Sequence, residues 1–209
     1  MTEEKSADDT GLMLPLVEEF FSIQGEGYHT GKAAYFVRIG GCDVGCSWCD
    51  SRFSWNPALH PMARTSDIVR NAVSAGADSV VVTGGEPLMW NLDMLTEGFS
   101  KNGIKTFLET SGAYPLSGKW DWICLSPKQN MPPLAGIFPG ANELKVIIET
   151  TEDFEWAETN RKSVGKDCLL YLQPEWSRFD EMIPLIVGYV QKHSEWRISL
   201  QVHKYMHIP

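Results

Sequence analysis

An α/β fold, a partial (incomplete) TIM-like barrel with about six parallel strands and few helices, follows from three observations. Short apolar runs alternate with amphipathic or Pro-bearing stretches, so strands are separated by helices or long crossovers, as parallel pairing requires. Nearly every strand run ends in a small, polar or charged cluster. The chain has 209 residues, too few for the eight strand–helix units that take about 250 residues in a full barrel.

The elements follow in order. Residues 1–13 form a polar leader, and 14–209 are expected to form one domain. Leu14 to Ile23 reads as a short extended segment, broken by Gln24-Gly25-Glu26-Gly27. Ala33 to Ile39 is a buried strand by its continuous apolar run and stops at Gly40-Gly41. A Cys-rich loop follows. Thr65 or Ser66 can cap a helix over 67–75, on which Ile68, Ala72 and Ala75 share a face. Strands are then expected at 79–82, 104–108, 122–125, 143–148, 169–172 and 196–202, with helices at 92–101, 153–161 and 180–193. In parallel α/β folds the site lies beyond the carboxyl ends of the strands, so the clusters at those ends should converge on one face.

Charge and composition exclude several classes. A formal net charge of −9 repels phosphate backbones, so no nucleic-acid partner is expected. The longest apolar run, Ile183 to Val190, contains Pro184 and Gly188 and falls far short of the roughly 20 residues of a membrane span. Met1 to Thr10 is acidic and polar, unlike a signal peptide. An odd set of 5 cysteines in such a chain points to reduced thiols or metal ligands in the cytoplasm rather than to disulfides.

Cys42, Cys46 and Cys49 form C-x3-C-x2-C directly after a strand. Three thiolates on one loop can hold an iron–sulfur cluster and leave one iron open to a further ligand. A structural zinc site completed by His60, or a transient redox set, are the alternatives. Cys124 and Cys168 sit in apolar strands and read as core thiols.

The cysteine loop, with Trp48 before its last thiol, resembles the signature of the radical S-adenosylmethionine superfamily. Gly84-Gly85-Glu86-Pro87 matches that superfamily's second element. The resemblance implies a 4Fe-4S cluster on Cys42, Cys46 and Cys49 whose open iron chelates the methionyl group of S-adenosylmethionine. Electron transfer then yields a 5′-deoxyadenosyl radical, the cofactor supplying the hard step.

Within the superfamily, the flanking segments look like the 7-carboxy-7-deazaguanine synthases. These segments are FSIQGEG at 21–27, Arg38, ETSG at 109–112, Ser126-Pro127-Lys128, Glu143-Leu144-Lys145, Gln173-Pro174 and QVHK at 201–204. The likeness runs from Val17 almost to the end of the chain. It implies a lyase that contracts 6-carboxy-5,6,7,8-tetrahydropterin with loss of ammonia, in queuosine biosynthesis. It further implies a homodimer, an external flavodoxin- or ferredoxin-type electron donor, and Mg2+.

By this resemblance Ile23, Gln24, Gly25, Glu26, Arg38, Thr83, His203 and Pro209 contact substrate. Gln24 and Glu26 would pair with the pterin edge, glycine would permit close approach, and Arg38 would fork the carboxylate. A strand-end salt bridge is the alternative for Arg38. The hydroxyl of Ser51, at a position where the family more often has threonine, would ligate magnesium; apart from the family it reads as a turn residue. S-adenosylmethionine would meet Trp48, Asp50, Gly84, Gly85, Glu86, Glu109, Ser111, Ser126, Lys128, Gln173, Pro174 and Glu175. Glu86 could orient its loop or bind the ammonium, and Lys128 could equally be a surface lysine. A glycyl-radical activase shares the cluster loop and the GGEP element, and a non-catalytic metal module is a reading from another class.

Overall fold

The computed structural model describes residues 10–209; the leader's residues 1–9 lie outside them. Among the described residues the strands are β1 (Met13–Ile23), β2 (Ala33–Ile39), β3 (Met62–Arg64), β4 (Ser79–Gly84), β5 (Lys105–Thr110), β6 (Trp122–Leu125), β7 (Glu143–Ile148), β8 (Leu169–Pro174) and β9 (Trp196–Ile198). The helices are α1 (Thr65–Ser74), α2 (Asp93–Lys101), α3 (Asp153–Arg161), α4 (Phe179–Lys192) and the short α5 (Val202–Met206). All strands join one open sheet in the order β3-β1-β2-β4-β5-β6-β7-β8-β9. No helix among the described residues is long and apolar enough to cross a membrane.

The strands from β2 through β9, β3 apart, pair in parallel. That makes seven parallel strands rather than about six, because the run at 196 pairs with β8 and extends the sheet by one. The partial barrel is therefore as expected, with an antiparallel extension at one edge. There β1 runs antiparallel to β2, with Ile23 opposite Ala33, and β3 pairs with the start of β1.

Residue alternation gives the sheet two faces. Outward-facing Val80, Val82, Leu108, Leu125, Leu144, Val146, Ile148 and Leu172 form one apolar core with Ile68 and Ala72 of α1, Leu95 and Phe99 of α2, Ala157 of α3 and Ile186 of α4. Helices cover only part of that face. The connections β5–β6 and β6–β7 carry no α-helix, only a 3-10 turn at Phe138–Gly140, which is how the chain stays short of a full barrel.

Three local expectations change. Thr65 lies inside α1 rather than capping it: the N-cap is Arg64, with no side-chain capping bond, and the Thr65 hydroxyl donates to the Leu12 carbonyl instead. The last strand ends at Ile198. One more ladder bond, Ser199 N–H to the Leu172 carbonyl at 2.9 Å, precedes the turn into α5. β3 is an edge strand of 3 residues, below the length at which an apolar period can be read.

The loop after β1 positions the site. Because β1 is antiparallel, residues 24–32 leave it at the amino end of β2 and cross the concave face of the sheet. His29 stacks on Phe107 of β5 and Tyr28 on Trp122 of β6, with centroids 4.3 and 4.8 Å apart. At the far edge Gly27 N–H donates to Ser199 Oγ at 3.0 Å. Val202 N–H donates to the Gly25 carbonyl at 3.0 Å. An open sheet thus acquires a filled floor.

Candidate active site

Above this floor lies a cavity of about 350 Å3 lined on the concave side by Gln24, Gly25, Glu26, Arg38, Thr83, Gly84, Glu109, Gln173, Pro174, Glu175, His203 and Pro209. It adjoins a smaller space of about 160 Å3 lined by Cys42, Cys46, Cys49, Gly85, Glu86 and Ser111. Trp48, Asp50, Ser51, Ser126 and Lys128 border both. Of the residues expected to contact substrate, cofactor or metal, Ile23 alone borders neither; it stands in the β1–β2 ladder opposite Ala33.

The cysteine loop connects β2 to the turns at Arg52–Ser54 and Pro57–Leu59. Cys42 N–H donates to the Trp55 carbonyl at 3.1 Å and Gly41 N–H to that of Ser54 at 2.7 Å, so the loop is folded back on itself. The Trp55 indole N–H lies 3.3 Å from Cys49 Sγ and the Ser51 hydroxyl 3.5 Å from it. Burial pushes the Cys42 thiol up to about 11 and raises that of Cys46. Thiols so placed need the positive charge of bound iron to become thiolate ligands.

Among the described residues no three Cys, His, Asp or Glu side chains stand close enough to share one metal ion. His60 is engaged elsewhere, its Nε2 2.9 Å from the Phe53 carbonyl. The zinc alternative lacks its fourth ligand. A cluster gives each thiolate its own iron and does not need the thiols to converge on a point. The donor set therefore fits a 4Fe-4S cluster.

The GGEP element has a structural cause. A Cβ at Gly84, whose φ is +152°, would run into the Ile39 backbone, and one at Gly85 into the Gly41 carbonyl and Cys42. Only glycine lets β4 end this close to the cysteine loop. The N–H groups of Gly85 and Glu86 donate to the Ile39 and Gly41 carbonyls at 3.0 and 2.8 Å, so only carbonyl oxygens remain there for an ammonium ligand.

Glu86 resolves toward loop orientation. It is 1% exposed and accepts from Leu88 N–H (3.0 Å), Thr110 Oγ1 (2.6 Å), Ser111 N–H (2.7 Å) and Ser111 Oγ (2.5 Å). It thereby staples the β4 end to the β5 end. The Ser111 hydroxyl donates to that staple and also borders the smaller space. Glu175 behaves likewise, accepting from Ser177 N–H, Ser177 Oγ and Arg178 N–H as the cap of the turn before α4. Gln173 accepts from Ser199 Oγ at 2.7 Å.

Lys128 is no surface lysine. Its Nζ donates to the carbonyl and hydroxyl of Ser126, both at 2.6 Å, and lies 5.6 Å from the Trp48 ring. Asp50 is exposed and accepts from Lys204 at 3.1 Å, which ties α5 to the cysteine loop. Arg38 Nε donates to Glu18 at 2.7 Å, and the residue also lines the cavity. The glycine at 25 serves His203, whose imidazole occupies the space a Cβ would take. Burial lowers the His203 pKa below the ordinary imidazole value. Pro209 reaches the same wall, its carbonyl accepting from Ser22 Oγ at 3.3 Å.

Sequence reasoning left out Lys145, Gln201 and Lys204 as site residues. Lys145, 4% exposed, donates to Glu26 at 2.5 Å and Glu109 at 2.9 Å. Gln201 Nε2 donates to Glu26 at 2.8 Å. The available signal was the alternation within ELKVII, which puts Glu143, Lys145 and Ile147 on the face opposite Leu144, Val146 and Ile148.

Comparison with known proteins agrees with this geometry. The model of the radical SAM superfamily matches residues 36–125, the segment from β2 through β6. A 7-carboxy-7-deazaguanine synthase from Flavobacterium psychrophilum is 55% identical, covering 99% of this chain and 98% of its own length. The synthase of that name from Synechocystis is 49% identical over 92% of each chain. The crystal structure of QueE from Escherichia coli superposes with a TM-score of 0.81 at 30% identity, covering 94% of this chain and 99% of its own. On this full-length similarity the chain belongs to the 7-carboxy-7-deazaguanine synthase family of the radical SAM superfamily.

Proposed function

We propose that this chain converts 6-carboxy-5,6,7,8-tetrahydropterin to 7-carboxy-7-deazaguanine with loss of ammonia, as one domain over 14–209. The observation that carries the reading is the adjoining of two spaces: a cysteine-lined end, and an end walled by Arg38, Glu26, Glu109 and Lys145.

When bound, the 4Fe-4S cluster and S-adenosylmethionine supply the one-electron chemistry that removes hydrogen from C6 of the pterin. This chain's residues do the rest. Arg38 keeps both Nη groups for the substrate carboxylate while Glu18 holds its Nε. Glu26 and Glu109 face the pterin's N–H donors; for Glu109 this replaces the expected S-adenosylmethionine contact, supported by its ion pair with Lys145, which also holds Glu26. His203 is neutral at neutral pH and can accept or donate one proton at the cavity wall. The Trp48 ring, which borders both spaces, excludes water beside the reacting atoms.

Mg2+ would be held by the Ser51 hydroxyl rather than by Asp50, which is already paired with Lys204, and would supply a Lewis acid beside the substrate. A flavodoxin- or ferredoxin-type donor, a homodimer and a cytoplasmic location without nucleic-acid or membrane partners complete the proposal.

Anaerobic reconstitution with the carboxytetrahydropterin, S-adenosylmethionine, reductant and magnesium should give 5′-deoxyadenosine and 7-carboxy-7-deazaguanine by mass spectrometry. Deoxyadenosine formed only when a partner protein is added would replace this reading by the activase one. Activity unchanged by a chelator would remove the magnesium at Ser51.

A further inference from the structure

Lys145 sits on the concave face of β7 and joins carboxylates carried by two other elements: Glu26 from the crossing loop and Glu109 from β5. Gln201 holds the second oxygen of Glu26 at 2.8 Å, and Gln24 Nε2 approaches Glu109 at 3.5 Å. Burial works against the ionised form of Glu26, but Lys145 and then Gln201 outweigh it and leave its pKa at about 2. Burial works against the Lys145 ammonium, but the neighbouring acidic groups, Cys124, Glu109, Glu26 and Glu143, outweigh it and hold Lys145 above the ordinary lysine range.

Other titratable groups face Lys145 without an ion pair to it among the described residues. Burial pushes Glu143 of β7 up and holds Cys124 of β6 as a thiol. Burial also lowers His203 of α5 and Lys128 of the β6–β7 connection. The ion pairs of Lys145 among the described residues are with Glu26 and Glu109.

We propose that Lys145 is a positioning residue that fixes Glu26 and Glu109 as an ionised acceptor pair for the N–H donor edge of the pterin, making substrate affinity independent of pH. This rests on the pterin reading above. An ionised carboxylate accepts at both oxygens, whereas a protonated one presents a donor to a donor edge. Without Lys145, burial acts unopposed on Glu26 and its pKa rises. The acceptor wall would then form only as pH rises through that new value.

The test is steady-state kinetics of the reconstituted holoenzyme from about pH 5.5 to about pH 8.5 for the wild type, K145M, K145R, E26Q and K145M/E26Q. The wild-type KM should be flat. K145M should raise KM about 30-fold at the acid end and progressively less toward the alkaline end, with kcat within about threefold. E26Q should raise KM by a similar factor without pH dependence. The double variant should match E26Q within about twofold, since the two act through one interaction. K145R should restore the flat profile. S-adenosylmethionine affinity, read from the reduced cluster's EPR change, should stay within about threefold throughout.

An unchanged KM in K145M, or a pH-independent loss that adds to that of E26Q, would overturn the proposal. If K145M does not fold, E26Q and K145R decide alone: a wild-type KM in E26Q, or a pH-dependent KM in K145R, sinks it. A wild type that binds S-adenosylmethionine but turns over no pterin overturns the substrate reading itself, a result separable from active wild type with uncoupled variants.

Discussion

On β7, Leu144, Val146 and Ile148 are 0%, 1% and 0% exposed, and on the opposite face Glu143 and Lys145 are 2% and 4% exposed. These residues are almost equally removed from water, yet burial demands different things of each face. The helix-covered face needs volume and shape, which many apolar sets supply. The concave face needs a partner for every polar atom, because an unpaired buried charge costs several kcal/mol. Lys145 finds two carboxylates, and Glu143 finds Tyr28 N–H at 3.1 Å and the Trp122 indole at 3.2 Å. One face stores stability and the other stores a fixed arrangement of charge.

The largest expected effect breaks the comparison on the concave side alone. Cys46→Ala should lower turnover by at least about 1000-fold, with reconstituted iron content falling. Its melting temperature should shift by no more than about 3 °C, since Cys46 lies on a loop outside the apolar core. Iron content and turnover at wild-type levels would refute the cluster assignment.

Phe99→Ala is the counterpart on the packed side. The ring is 0% exposed in the core cluster, and its removal should cost about 3–5 kcal/mol in urea unfolding. The folded fraction should keep KM within about twofold, and a large KM change would show that the two faces are coupled.

The packed face was the legible one. β2, β6, β7 and α3 end where the sequence reading put them: the three apolar runs stop at Gly40, at Ser126-Pro127 and at Glu149, and α3 opens on Asp153 and closes on Arg161. The rule that strand-end clusters converge brought together the cysteine loop, GGEP, Glu109, Ser126 and Gln173. Gln24 and Glu26 obey no such rule. They follow an antiparallel strand and reach the cavity from the opposite end, by a crossing loop whose path depends on contacts with Phe107, Trp122 and Ser199. Lys145 was readable as a motif member but not as the shared partner of two carboxylates, since that role is set by distances between β5, β7 and the loop. The roles of Glu86 and Glu175 were hidden similarly: a carboxylate that caps its own loop looks the same in sequence as one that binds a ligand.

Arg38→Ala sharpens the concave side at smaller cost. Charge-assisted hydrogen bonds are worth about 1.5–3 kcal/mol, so KM for the carboxytetrahydropterin should rise about 10- to 100-fold with kcat changed far less. The Glu18 pair is part exposed, at 22% and 43% for the two side chains, and its loss should hardly move the urea midpoint. Unchanged KM would assign Arg38 to the salt bridge alone.

The smallest effect concerns the floor, which lies on the concave side but behaves like packing. His29 stacks on Phe107 at 4° between ring planes and meets Trp122 edge-on. Its Nε2 is buried without a partner among the described residues, and Nδ1 lies 3.1 Å from Lys32 Nζ. Burial first, then the charges of Lys32 and Lys105, lower its pKa from 6.5 to about 4. Above pH 6.5 both folded and unfolded chains hold this imidazole neutral. Between that pH and about 4 only the unfolded chain takes the proton, so stability falls as pH falls and the loss levels off below about 4. Allowing for the partial exposure of the ring, the total is on the order of 2 kcal/mol. His29→Phe keeps the stack and cannot titrate, so its urea stability should fall less than the wild type's between about pH 7 and about pH 4.5, by roughly that amount. Parallel losses in the two proteins would mean that the folded floor already accepts a charged imidazole. The boundary between the two kinds of burial would then run below His29 rather than above it.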